Sequence, residues 1–172
     1  MAEMVPVDGG SQFKKKDQPM RFKLLYRGSD NNFSASSFHK KCDSKGSTLT
    51  LLKSTKGRLF GGFTDIPWSS WGGWRKRNHK SFLFTINSCN GATTKLANKE
   101  GRNETYHDKE YLVCFGDTLS IYNQLNSRLD SIAQLGFVSN YVYPPHVVKG
   151  SRLDREFLFG EAACEIAEIE VF

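Results

Sequence analysis

The stretch from Thr48 to Thr64 constrains the fold most. Thr48-Leu49-Thr50-Leu51-Leu52-Lys53 is rich in strand formers, and Ser54-Thr55-Lys56-Gly57 is a turn with glycine where φ turns positive. Arg58-Leu59-Phe60-Gly61-Gly62-Phe63-Thr64 then returns as a second strand. The pattern is a β-hairpin, and a lone hairpin is not stable in water, so further strands must cover it. Gly61-Gly62 inside the returning strand predicts a bulge or a close crossing by another segment.

Those further strands are present. Ser81-Phe82-Leu83-Phe84-Thr85-Ile86-Asn87 alternates, with Phe82, Phe84 and Ile86 on one face. Lys95-Leu96-Ala97 is a short strand within the polar, loop-like stretch 88–110. Tyr111-Leu112-Val113-Cys114-Phe115 and Thr118-Leu119-Ser120-Ile121-Tyr122 flank the tight connection Gly116-Asp117. The terminal Glu165-Ile166-Ala167-Glu168-Ile169-Glu170-Val171-Phe172 alternates too, with Ala167, Ile169 and Val171 expected on one face and the glutamates on the other. One helix is expected. Ser34 is its N-cap, Phe33 is placed to staple onto Phe38, and Ala35 to about Cys42 makes two turns that Gly46 ends. Phe38 and Cys42 would face the core while His39, Lys40 and Lys41 point to solvent. Residues 1–20, with Gly9-Gly10, Lys14-Lys15-Lys16 and two prolines, read as a tail. Roughly eight strands joined by turns predict one mostly β domain over 21–172, an antiparallel sandwich with a few short helices.

Charge narrows the partner. The net charge is +6 and unevenly spread: residues 14–58 hold twelve Lys/Arg against three acids, and residues 110–172 nine acids against four bases. A basic half steers a molecule toward an acidic surface. No nucleic-acid-binding pattern is present, and no apolar run reaches the ~20 residues of a membrane helix. The four cysteines, Cys42, Cys89, Cys114 and Cys164, are widely spaced, and no apolar leader precedes them, so reduced thiols in the cytoplasm are expected.

Four stretches, taken in order, resemble the TLDc domain from about Phe22 to Phe172. The first is Leu25-Tyr26-Arg27-Gly28-Ser29 leading into Phe33-Ser34-Ala35-Ser36-Ser37-Phe38-His39-Lys40-Lys41-Cys42. The second is Gly46-Ser47-Thr48-Leu49-Thr50-Leu51 with Gly57, Phe60-Gly61-Gly62-Phe63 and Trp68. The third is Ser81-Phe82-Leu83-Phe84. The last pairs Phe115-Gly116-Asp117-Thr118-Leu119-Ser120-Ile121 with the terminal Glu165–Phe172 segment. The resemblance implies a two-sheet antiparallel β-sandwich, and it marks Gly61, Gly62, Phe82, Phe84, Gly116, Glu168 and Glu170 as family-motif residues. It also implies a link to protection against oxidative stress and binding to the vacuolar proton pump, the V-ATPase. No agreed active site comes with it. One departure stands out: many members carry an acid just before the Ser-Phe-Leu-Phe strand, where this chain has Asn78-His79-Lys80.

The candidate residues follow from chemistry. Trp68, Trp71 and Trp74 adjoin Arg75, Lys76, Arg77 and Lys80, and tryptophan and arginine are enriched at interface hot spots. This loop is the expected partner-binding site, with an acidic protein surface as partner; the competing reading is that the rings cap the sandwich. His39 and Cys42 have a spacing that places two metal ligands on neighbouring turns, but no further ligands accompany them, so no metal and no cofactor is expected. Cys89, in a loop near basic residues, is the redox candidate. Glu168 and Glu170 lie about 7 Å apart on one strand face, and charge-pairing with the basic half is preferred to acid–base chemistry. No catalytic set is recognisable, so a protein-interaction module is the first reading. A structural component of a larger assembly and a cysteine-based peroxide-handling enzyme are the alternatives.

Overall fold

A computed structural model describes residues 21–77, 80–86, 91, 93–122, 140–142, 144–148, 151–152, 156–158 and 164–172. The expectations for residues 1–20, 78–79, Cys89 and most of 123–163 lie outside them.

The 48–64 hairpin forms as expected. β2 (Thr48–Ser54) pairs antiparallel with β3 (Leu59–Thr64) in unbroken register, and Gly57 at the turn has φ +79°. β3 pairs on its other side with β5 (Phe82–Thr85), and β5 with β6 (Thr94–Ala97). On the far side of β2 lies β10 (Ile166–Val171), which pairs with β1 (Tyr26–Arg27). The result is a six-stranded sheet in the order β1-β10-β2-β3-β5-β6. A second layer contains β4 (Gly73–Arg75) paired with β7 (Thr105–His107), and β8 (Tyr111–Phe115) paired with β9 (Leu119–Tyr122). The described residues thus hold ten strands rather than eight. The two extra ones, β4 and β7, lie in stretches expected to be loop.

Side-chain alternation tells the two faces of the large sheet apart. The inner row across the strands is Tyr26, Val171, Thr50, Gly62, Leu83 and Leu96, and all are buried. The close crossing expected at Gly61-Gly62 is here, and the register shows no bulge. A Cβ on Gly62 would stand 2.7 Å from the Phe115 ring of β8, so the second layer rests on a hydrogen atom. A Cβ on Gly61 would run into the Thr50 carbonyl and the Phe84 ring. Phe82 and Phe84 share a face, but it is the outer, half-buried one; Leu83 supplies the core contact of β5.

A bulge corrects the expectation for β10. The register with β2 slips between Ile166 and Glu168, so Ala167 is exposed while Ile166, Ile169 and Val171 are buried. One extra residue before Glu168 reverses the facing of everything upstream of it. Beyond the bulge the acids do face outward. Arg27 donates to Glu170 through Nε (2.8 Å) and Nη2 (2.7 Å), and Ser29 donates to Glu168 through its backbone N–H (3.1 Å) and its hydroxyl (2.6 Å). Glu170 therefore fastens the edge strand β1 to β10, and Glu168 holds the turn that follows β1.

α1 (Ala35–Cys42) starts at Ser34, whose Oγ accepts the Ser37 N–H at 3.3 Å. Phe38 and Cys42 are buried, and Phe38 meets the rings of Tyr26 and Trp68 edge-on. His39, expected in solvent, is buried as well; its partners are described below. Gly116, at φ +59° in the β8–β9 turn, leaves room for Asn140, whose amide would lie 2.9 Å from an added Cβ.

Replacing Gly62 with Ala is expected to cost about 1–3 kcal/mol, because the methyl group overpacks the contact with Phe115. Urea unfolding of the variant checks this, and an unchanged midpoint would count against the packing account.

Candidate functional site

The loop between β3 and β5 combines exposed aromatics with local positive charge. Its entry is Trp68, which is 1% exposed. The indole Nε1 donates to Thr48 Oγ1 at 2.9 Å, and the ring packs edge-on against Phe38 and Phe115. Trp68 is therefore core, not contact surface, which corrects its place among the binding candidates. Its bulk and its one donor are both satisfied inside the chain.

The next residues are tied down from two sides. The Ser70 hydroxyl donates to Asp43 Oδ2 at 2.8 Å, just beyond α1. Asp43 Oδ1 takes a 2.7 Å bond from His39 Nδ1, and His39 Nε2 lies 3.0 Å from the carbonyls of both Asp108 and Tyr111. Acceptors at both ring nitrogens explain why this histidine is buried: it ties α1 to the turn before β8. Ser36, His39, Lys40, Asp43, Ser70, Lys109 and Glu110 line a shallow cavity of about 450 Å³ here. Behind the loop, His107 of β7 lies between the Ser69 and Thr105 hydroxyls at 3.0 and 2.9 Å, with Trp68 over its ring. Burial, and then the nearby Arg75, push His107 down to about 4, so it is neutral at physiological pH. Two hydroxyls, each able to donate or accept, suit a neutral imidazole.

The loop's far end is held by Glu104, a fully buried acid. Its Oε1 accepts the Arg77 N–H at 2.7 Å, while Oε2 accepts the Ser81 hydroxyl at 2.6 Å and the Ser81 N–H at 3.1 Å. A carboxylate thus stands at the start of the Ser-Phe-Leu-Phe strand after all, delivered from beside β7 rather than from residues 78–80. Sequence reading placed His39 in solvent and missed Asp43, Glu104 and His107. The Thr105-Tyr106-His107 alternation is the one local signal for the strand that positions two of them.

Between these ties, Trp71 and Trp74 project. Trp71 is 81% exposed and Trp74 48%. Gly73, at φ +127°, opens β4 and carries Trp74 to its place beside Tyr106, 4.9 Å between ring centres; Tyr106 in turn meets Tyr111 at 5.5 Å. Arg75 donates to the Trp71 carbonyl (3.0 Å) and the Trp74 carbonyl (3.4 Å), so its guanidinium braces the loop. Lys76 Nζ donates to the Gly101 carbonyl, and Arg77 Nη1 to that of Asp65. These cations bond neutral carbonyls, so the bonds themselves do not cancel their charge beside the two exposed tryptophans. Lys80 is exposed on the same segment.

The described cysteines are different in kind. Cys42 and Cys114 are buried free thiols, and Cys164 is buried as well. Burial pushes Cys42 up to about 12 and Cys114 to about 11. Among the described residues no group of three or more His, Cys, Asp or Glu is arranged to hold a metal, and no helix is long and apolar enough to cross a membrane.

The family model of the TLDc domain matches residues 10–172, nearly the whole chain. No curated protein matches the chain.

Two measurements check this geometry. As pH falls from about 6.5 toward 4, the unfolded chain takes up a proton that native His107 refuses, so stability declines across that window. His107→Gln should flatten that part of the pH–stability curve; an unchanged slope would count against a buried neutral ring. Cys42 and Cys114 should alkylate at pH 8 only as fast as the protein opens, since their thiols stay protonated and covered. Rapid labelling of either in the native protein would contradict this.

Proposed function

The chain belongs to the TLDc domain family, and on that footing we propose that it is a protein-interaction module whose contact surface is the loop bearing Trp71, Trp74, Arg75, Lys76, Arg77 and Lys80. The observation that carries the reading is Trp71, 81% exposed at the tip of a loop fastened at both ends. An exposed tryptophan has little to gain from water and much to gain from a partner's pocket. A loop held by its bases loses little freedom on binding, which favours affinity. The neighbouring cations select a partner with an acidic surface and speed its approach.

The V-ATPase is the candidate partner and protection against oxidative stress the setting, both on the strength of the family. The module works in the cytoplasm, as residues 21–172 of a single domain that residues 1–20 lead into. The cysteine-based alternative draws no support from Cys42 and Cys114, which are buried and hold their protons, or from Cys164, which is buried.

Trp71→Ala is expected to leave stability within about 0.5 kcal/mol, as for an exposed surface position. It should weaken capture of purified V-ATPase at least tenfold, a hot-spot loss of roughly 1.4 kcal/mol or more. Trp74→Ala should act in the same direction, and raised salt should weaken the wild-type complex. If both variants bind as the wild type does, the loop is not the contact surface. If the wild type binds no V-ATPase at either salt, that partner is wrong.

A further inference from the structure

The two buried histidines behind the tryptophan loop have different surroundings. Both ring partners of His107 are hydroxyls, which can donate or accept, so one ring proton is enough there. The partners of His39 can only accept. Asp43 Oδ1 lies 2.7 Å from Nδ1, and the carbonyls of Asp108 and Tyr111 each lie 3.0 Å from Nε2. With one proton, the ring would set a bare lone pair against an acceptor, in a residue only 7% exposed. With two protons, every one of these contacts is a hydrogen bond. The last turn of α1, where His39 stands, also favours a positive ring, because the negative end of the helix dipole lies there.

The charges around the ring come from three elements. On α1, Lys40 is exposed and Cys42 holds its proton. On the turn into β8, exposed Lys109 and Glu110 pair at 4.0 Å, while Asp108 Oδ1 accepts the Glu110 N–H. His107 of β7 is neutral. Among the described residues, Asp43 is the ionised side chain in contact with the ring. Asp43 carries the tie onward. Its Oδ2 accepts the Ser70 hydroxyl at 2.8 Å, and Trp71 is the next residue. The Ser44 N–H donates to the Trp68 carbonyl at 3.0 Å, so the chain beside Asp43 is itself fixed to the loop's entry. We propose that His39 is seated as the imidazolium, protonated on both nitrogens, and is a positioning residue that sets Trp71 for its partner through Asp43 and Ser70. Loss of either proton as pH rises turns a lone pair on Asp43 or on the two carbonyls, and the anchor of the loop loosens. This role rests on the loop being the contact surface, yet the protonation of His39 and its hold on Trp71 are measured without any partner.

Nitrogen NMR of the imidazole rings in the full-length chain tests it, with His39 assigned by the signals that vanish in His39→Gln. At pH 7 both His39 nitrogens should show the shifts of N–H groups, whereas His107 should show one N–H and one bare nitrogen. Raising the pH until His39 sheds a proton should move the Trp71 indole peak with the same midpoint. In Ser70→Ala, a change at an exposed position, His39 should titrate as before while the Trp71 peak loses most of that movement. A bare nitrogen on wild-type His39 at pH 7 would overturn the proposal. So would a Trp71 peak that ignores the His39 titration, or one that follows it undiminished in Ser70→Ala.

Discussion

The contact between Gly62 and the Phe115 ring sets the distance between the two layers. With the ring 2.7 Å from where a Cβ would stand, β8 lies as close to the large sheet as backbone allows. Trp68 meets the same ring edge-on, and Phe38 meets Trp68, so the seat of α1 is passed on from that one approach. His39 then reaches the carbonyls of Asp108, before β8, and of Tyr111, its first residue, and Asp43 reaches Ser70. The position of the tryptophan loop is thus inherited, through a chain of packed rings and hydrogen bonds, from a missing side chain in β3.

What the sequence revealed was local. The cap at Ser34, the hairpin turn at Gly57 and the two-residue alternation of β5 each lie within a few positions of the residues they organise. Signals that depend on distant partners stayed hidden. His39 looks solvent-facing on a helical wheel, and only carbonyls 69 and 72 residues away make it an inside residue. β4 and β7 have three residues each and pair across about thirty positions, too short a pattern for periodicity to register. The bulge in β10 is likewise invisible in an alternation that reads smoothly through Ala167.

The candidate site divides along the same line. Trp68 and Trp71 are three positions apart and chemically identical, yet one is core and the other is among the most exposed large side chains. Composition identified the loop as unusual but could not divide its rings, because the division depends on Thr48 offering a hydroxyl to one of them. Arg75 shows the same limit. It reads as free positive charge and is in fact spent on the loop's own carbonyls, so the field reaches a partner from a brace rather than from a mobile arm. The acid before the Ser-Phe-Leu-Phe strand was sought in sequence and exists in space, supplied by Glu104.

The place of β10 has a consequence for how the molecule is made. It lies between β1 and β2, yet the ribosome delivers it more than a hundred residues after them. Until then β1 has no strand beside it in this sheet and β2 shows a bare edge of unpaired amides and carbonyls to its surroundings. Synthesis at about 5–20 residues per second keeps that edge open for seconds. The large sheet is therefore closed by the last strand to emerge, and a stalled or shortened nascent chain would be the form most prone to stick to others of its kind.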